Sequence, residues 1–209
     1  VIDAGTRALL LEIPGLITPA EGEKLAELAG LVRAEQAIVE IGSHRGLSAC
    51  WLASGARSGA GARVTCVDPW PQYEPPGLAA SELDSEPWGE VGALERFMAN
   101  VGEQDCWPYV TPLRATAAQV AQMWVKPVGL WFHDADHRYD AVRDDFLAWE
   151  RFVSPGGWFA VHDYYGSVWK GAEWVRDGSE QKAVADHYLP SGEWEGVEIV
   201  DNLWVGRRM

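Results

Sequence analysis

Apolar runs of strand length alternate with helical patterns along most of this chain, and that alternation leaves few architectures open. Ala37-Ile38-Val39-Glu40-Ile41, Arg63 to Asp68, a short run near Tyr109 to Thr111, Val128 to His133 and Trp158 to His162 read as strands. Between them the spacing predicts helices over Leu47–Ala56, Val91–Val101, Thr116–Met123 and Tyr139–Phe152. Strands joined through helices run parallel, with helices covering both faces of the sheet. Upstream, Thr18-Pro19-Ala20-Glu21 has the form of a helix start: Thr18 as N-cap, Pro19 at the first position, Glu21 three residues after the cap. That helix is expected to run to about Val32. Ser154-Pro155-Gly156-Gly157 reads as a turn, and a further helical region is predicted from Trp169 to Tyr188. Two last strand candidates, Val197–Val200 and Asn202–Val205, follow one another without a crossover helix, which implies an antiparallel hairpin.

Charge narrows the partners. Lys and Arg number 17 against 31 acids, giving a net charge of -14. A phosphate backbone needs a positive footprint, so a nucleic-acid substrate is disfavoured. No apolar run approaches the roughly 18 residues that suggest a membrane span. The Ala8–Leu11 patch follows Asp3 and lacks a basic flank, so a signal peptide is not expected. Cys50, Cys66 and Cys106 form no CxxC pair and read as buried thiols. A cytoplasmic protein is the expectation, with a homo-oligomer left open.

Ligands of doubly wound sheets sit beyond the carboxyl ends of the strands, where strand order reverses. Four strands end in acids: Glu40, Asp68, Asp134 and Asp163. The Glu40-Ile41-Gly42-Ser43-His44-Arg45-Gly46-Leu47-Ser48 loop joins the first strand to a helix whose N-terminus can receive an anion. A dinucleotide would ask for G-x-G-x-x-G, and His44 fills the middle glycine position. S-adenosylmethionine (SAM) suits the loop better. It has no pyrophosphate, a carboxylate for the helix N-terminus, a ribose for an acid, and a sulfonium that tolerates acidic surroundings. The expected fold is therefore α/β, Rossmann-like and doubly wound, a mostly parallel sheet with an antiparallel C-terminal edge hairpin. One domain spans residues 1–209, with 69–90 as a lid or substrate loop.

Val39 to Ser48, with Val64 to Trp70, resembles the SAM-binding motifs of class I methyltransferases. The Asp134–Tyr139 and Gly156–Tyr164 segments resemble the small-molecule O-methyltransferases of the catechol, macrolide-sugar and cephalosporin-biosynthesis-related types. The similarity covers about Ile13 to Asp163 and is weakest after Asp68 and beyond Gly166. It implies that Gly42 and Gly46 flank the methionine part of SAM, that Ser48 lies near its carboxylate, that Asp68 holds the ribose, and that Thr116 and Ala117 lie near the adenine. Glu40, Ser43, Trp70 and Asp134 complete the expected cofactor set. The resemblance further implies an acid ligand at Asp134, two more metal ligands at His162 and Asp163, and a general base at His137. His162 stands where magnesium-dependent members carry a carboxylate, so magnesium, manganese, a softer metal or none stay open.

The chemistry is coherent without the resemblance. An alcohol is a poor nucleophile at neutral pH; a cation lowers the pKa of a coordinated hydroxyl, and a histidine can take its proton. Asp134 and His137 are thus the candidate catalytic pair. Trp70, Tyr73, Trp88 and Tyr164 are candidate substrate contacts, because aromatics can stack on a sugar or planar ring. His133 should point to the opposite face of its strand from Asp134 and reads as structural. The expected activity is methyl transfer to a hydroxyl of a small molecule, with a sugar or glycosylated metabolite favoured. A nucleotide-binding oxidoreductase and a non-catalytic SAM-binding module remain alternatives.

Overall fold

The computed structural model describes residues 2–70, 92–165, 168–169, 174–175 and 192–209. Asp3 caps a short helix α1 (Ala4–Leu10), which the sequence pattern did not announce. Helix α2 (Pro19–Gly30) begins with the expected capping box: Thr18 accepts from the Glu21 amide, and the Glu21 carboxylate accepts from the Thr18 amide. Strand β1 (Ala37–Ile41), helix α3 (Leu47–Ser58) and strand β2 (Arg63–Asp68) follow. Beyond them come α4 (Ala93–Glu103), β3 (Val110–Arg114), α5 (Ala117–Ala121), β4 (Val128–His133), α6 (Tyr139–Trp149) with a 3-10 turn (Glu150–Phe152), and β5 (Val153–Val161). Two short strands, β6 (Val168–Trp169) and β7 (Trp174–Val175), pair with each other, and β8 (Trp194–Val200) and β9 (Leu203–Arg208) end the chain.

Among the described residues the main sheet has seven strands in the order β3-β2-β1-β4-β5-β9-β8. The first five are parallel, and β9 and β8 add antiparallel to β5. This is the expected doubly wound sheet with its edge hairpin. Strand alternation divides the core. Ile38, Leu130, Phe132 and Ala160 face one apolar cluster, which includes Trp51 and Phe97. Val39, Ile41, Trp131, Phe159 and Val161 face the other, with Phe146 and Trp149 of α6. Strand order reverses between β1 and β4, so the crevice opens where Gly42 follows β1 and Asp134 follows β4.

Two local expectations are corrected. Ser154–Gly157 is not a free turn before a strand but lies within β5. The register with β4 jumps from Val128–Val153 to Leu130–Trp158, so these residues bulge out of the ladder, with Gly156 at φ +75°. The helix predicted from Trp169 is replaced, where described, by the β6–β7 pair; β-branched and aromatic residues at Val168, Trp169, Trp174 and Val175 favour extended chain. The rest of that predicted helix lies outside the described residues, as do residues 71–90 of the expected loop with Tyr73 and Trp88. Among the described residues no helix is long and apolar enough to cross a membrane.

Candidate active site

Chain geometry at the end of β1 comes first. Gly42 has φ +85°, and a Cβ there would lie 1.9 Å from the Asp134 carbonyl oxygen. The loop can therefore pass beside β4 only with glycine at this place. Gly46, at φ +86°, is the N-cap of α3 and turns the chain against the Phe97 ring. Between these glycines, the amides of Ser43 and His44 both donate to Asp68 Oδ2, at 3.0 and 2.9 Å. The Trp70 amide donates to Asp68 Oδ1 at 2.6 Å, and Trp70 Nε1 donates to the His44 carbonyl at 2.8 Å. Asp68 thereby ties the loop after β1 to the chain leaving β2.

Glu40 lies beneath this loop, fully buried, and its Oε2 accepts from Ser43 Oγ at 2.6 Å. Among the described residues Glu40 Oε1 has no hydrogen-bond partner. Burial pushes the Glu40 carboxyl up to about 7, although Ser43, Ser48 and Cys66 favour its charged form.

Two cavities meet at Gly42, His44, Asp134 and Ala135. One, of about 420 Å³, is lined by Asp68, Thr116, Ala117 and Asp134. The other is smaller, about 70 Å³, and runs past Ser43, Gly46, Ser48 and His137 to the Pro14–Ile17 segment before α2. An elongated ligand with a nucleoside at one end and a carboxylate at the other matches this pair of spaces, with the α3 N-terminus at the carboxylate end.

At the ends of β4 and β5 the ionisable groups crowd together. His162 is 5% exposed, with Nδ1 at 3.1 Å from Asp134 Oδ1 and 3.7 Å from Asp163 Oδ2. His162 Nε2 lies 3.3 Å from Glu21 Oε2. His137 Nε2 faces Asp163 Oδ2 at 3.4 Å. Burial opposes charge on His162, but Asp134, Glu21 and Asp163 around it raise its pKa well above the ordinary histidine value. Burial likewise works against the Asp134 carboxylate, yet His162, His137 and His133 hold it below its usual value. Asp163 shifts the other way, raised by burial. Three of the non-glycine residues at positive φ, His44, Trp70 and Asp163, border this region. Backbone strain of that kind tends to gather where function demands a fixed geometry.

Comparison with known proteins identifies the family. A family described as "Methyltransferase domain" matches residues 39–164, well over half of the chain. The chain belongs to this methyltransferase family. Its fold is that of class I SAM-dependent enzymes. The methyltransferase is similar to an O-methyltransferase from Bacillus cereus solved in complex with S-adenosylhomocysteine (SAH), at 17% identity and TM-score 0.64, covering 100% of this chain and 93% of that one. The O-methyltransferase TomG from Streptomyces achromogenes, involved in tomaymycin synthesis and solved with SAM, gives 17% and 0.64, covering 99% and 90%. A putative rRNA methylase from Clostridium thermocellum gives 13% and 0.60, covering 93% and 100%.

In the methyltransferase, most residues singled out from sequence come together: Gly42, Ser43 and Gly46 on the loop, Ser48 in the first turn of α3, Asp68 at the end of β2, Thr116 and Ala117 across the larger cavity, and Asp134, His137, His162 and Asp163 at the far strand ends. Thr116 also caps α5 through its own capping box. Two expected substrate contacts lie packed inward. The Trp70 ring is 5% exposed, packs on Phe97 with centroids 4.9 Å apart, and braces the loop. Tyr164 is 7% exposed and stacks on Trp204, a wall of the core. His133 is structural as expected, buried among Trp131 and Phe146 with Asp145 at 3.2 Å. Asp136 accepts from the Arg138 amide, which leaves Asp134 to the site and not to helix capping.

Sequence reasoning missed two residues of the methyltransferase. Glu21 reads only as a capping residue, and nothing in its local pattern points to a strand end 141 residues away. Asn202, in the β8–β9 turn, donates from Nδ2 to Asp163 Oδ1 at 2.7 Å.

Proposed function

We propose that the chain is a SAM-dependent O-methyltransferase that methylates a hydroxyl of a small molecule, with His137 as general base. The observation that carries this reading is the approach of His137, which lines the smaller cavity, to Asp163, beside Asp134, which lines both cavities. SAM supplies an electrophilic methyl on a sulfonium, whose C–S bond breaks as the C–O bond forms. The protein's share is positioning and proton removal. Asp163 orients the His137 ring, so that with Nε2–H directed to Asp163 the basic nitrogen is Nδ1. The acceptor proton passes to that imidazole, and the oxygen becomes nucleophilic as the proton leaves. Asp68, Thr116 and Ala117 suit the nucleoside end, and the Gly46–Ser48 turn suits the carboxylate end.

The residues also fit a divalent cation. Asp134, His162 and Asp163 each offer one donor atom, and these atoms lie within 4.8 Å of one another. A set with one imidazole and two carboxylates suits manganese better than magnesium. When bound there, the cation would lower the pKa of an acceptor hydroxyl. To hold the cation His162 Nδ1 would have to give up its proton, so cation and proton would compete for that nitrogen.

The net charge of -14 speaks for a small acceptor over an RNA backbone. The aromatic-rich sequence after Asp68 suits a sugar or other planar acceptor, and three free buried cysteines suit a cytoplasmic setting. Calorimetry with SAH tests the donor site. A Kd on the order of micromolar or tighter is expected, and no heat at millimolar ligand would overturn the reading.

A further inference from the structure

Glu21 belongs to a helix cap by sequence, yet its carboxylate is fully buried and serves three neighbours at once. Oε2 accepts from the Thr18 amide at 2.7 Å and faces His162 Nε2 at 3.3 Å. Oε1 accepts from the Asn202 amide at 2.8 Å. The Asn202 side chain in turn donates to Asp163 Oδ1. One carboxylate thus touches His162 directly and reaches Asp163 through one residue.

The polarity of these contacts decides what His162 can do. A carboxylate only accepts, so the ring carries a hydrogen on Nε2 opposite Glu21 and one on Nδ1 opposite Asp134; a cation at the three ligands would displace the Nδ1 proton and leave the one that Glu21 holds on Nε2. The other nitrogen, Nδ1, is the one turned toward Asp134 and Asp163. A histidine that ligates a metal commonly gives its second N–H to a carboxylate, which fixes both tautomer and ring direction. We infer that Glu21 is a positioning residue for a divalent cation, setting His162 so that Nδ1 joins Asp134 and Asp163 as a ligand, with Asn202 holding Asp163. This rests on the cation-assisted form of the function proposed above.

A carboxamide at position 21 cannot reproduce the arrangement. Glutamine keeps the length and can still cap Thr18, but whichever way it turns, its NH2 group replaces an acceptor at the Asn202 amide or at the Thr18 amide and His162. The Asn202 contact would loosen Asp163, and the His162 contact would favour the tautomer with hydrogen on Nδ1, which cannot ligate.

Calorimetric titration of the full chain with Mn2+ and, separately, with SAH tests the inference on wild type, Glu21→Gln and Glu21→Ala. Both variants should bind Mn2+ about 10–100-fold more weakly, with SAH affinity unchanged. A purely structural Glu21 would lower both affinities together or neither, and either result overturns the inference. If wild type binds SAH but no Mn2+, the cation and the role of Glu21 fall together while methyl transfer stands. If wild type binds Mn2+ and Glu21→Gln binds it equally well, only the role of Glu21 falls. Should the variants not fold, nitrogen-15 spectra of the wild-type histidine rings during Zn2+ titration decide. Coordination shifts at His162 Nδ1 with the hydrogen kept on Nε2 are expected; coordination at Nε2, or none at His162, overturns it.

Discussion

The Cβ that Gly42 lacks would fall 1.9 Å from the carbonyl oxygen of Asp134. The bend after β1 and the backbone of Asp134 at the end of β4 are therefore in close contact, and neither can shift alone. At φ +85° a side chain at 42 adds backbone strain to the collision. Gly42→Ala should lower stability by on the order of 3 kcal/mol and weaken SAH binding. Urea denaturation and calorimetry check both; a variant with the wild-type midpoint would show that the loop adapts freely.

His137 approaches Asp163 without taking part in the core, so its removal should separate chemistry from binding. His137→Ala is expected to reduce kcat by about 10²–10⁴-fold, with SAH affinity and melting temperature held. Turnover at the wild-type rate, once an acceptor is in hand, would remove His137 as the base.

Glu40 gives the free enzyme a pH dependence of definite sign. Its folded pKa is about 7, above the ordinary value of 4.5. Below 4.5 it is protonated in both folded and unfolded chains, and burial of the neutral acid carries no ionic penalty. Between the two values the unfolded chain loses its proton first, so stability declines as pH rises and levels off above about 7. The loss amounts to about 3 kcal/mol. Glu40→Gln should flatten that decline and exceed wild type in stability at pH 8, read as denaturation midpoints across pH 4–8 in the absence of cofactor.

Tyr164 stacks on Trp204 near the base of the site. Tyr164→Leu should cost about 1–3 kcal/mol in stability while leaving the KM for the acceptor in place. A large rise in KM with stability intact would return Tyr164 to the substrate wall.

Local rules carried the sequence reading a long way. The capping box at Thr18, the strand at Val128–His133 and the edge hairpin all follow from spacing and end signals within a few residues. So does the tight bend after β1, because glycine at 42 and 46 answers to nearby chain geometry. What escaped depends on distance along the chain. Glu21 and Asn202 enter the site only because α2 and the β8–β9 turn close over the end of β5. The inward packing of Trp70 and Tyr164 was not legible for a related reason: an aromatic beside a strand end can face solvent, ligand or core, and their neighbours Phe97 and Trp204 come from other elements.

The β8–β9 turn also bears on the order in which the enzyme can be finished. Asp163 takes its amide partner from Asn202, and the Tyr164 and Tyr165 amides lean on that same residue. A nascent chain halted at Val200 already carries every acid and imidazole of the centre, yet lacks the group that sets the last of them. Residues up to Asn202 must therefore have left the ribosome before Asp163 can take up this contact.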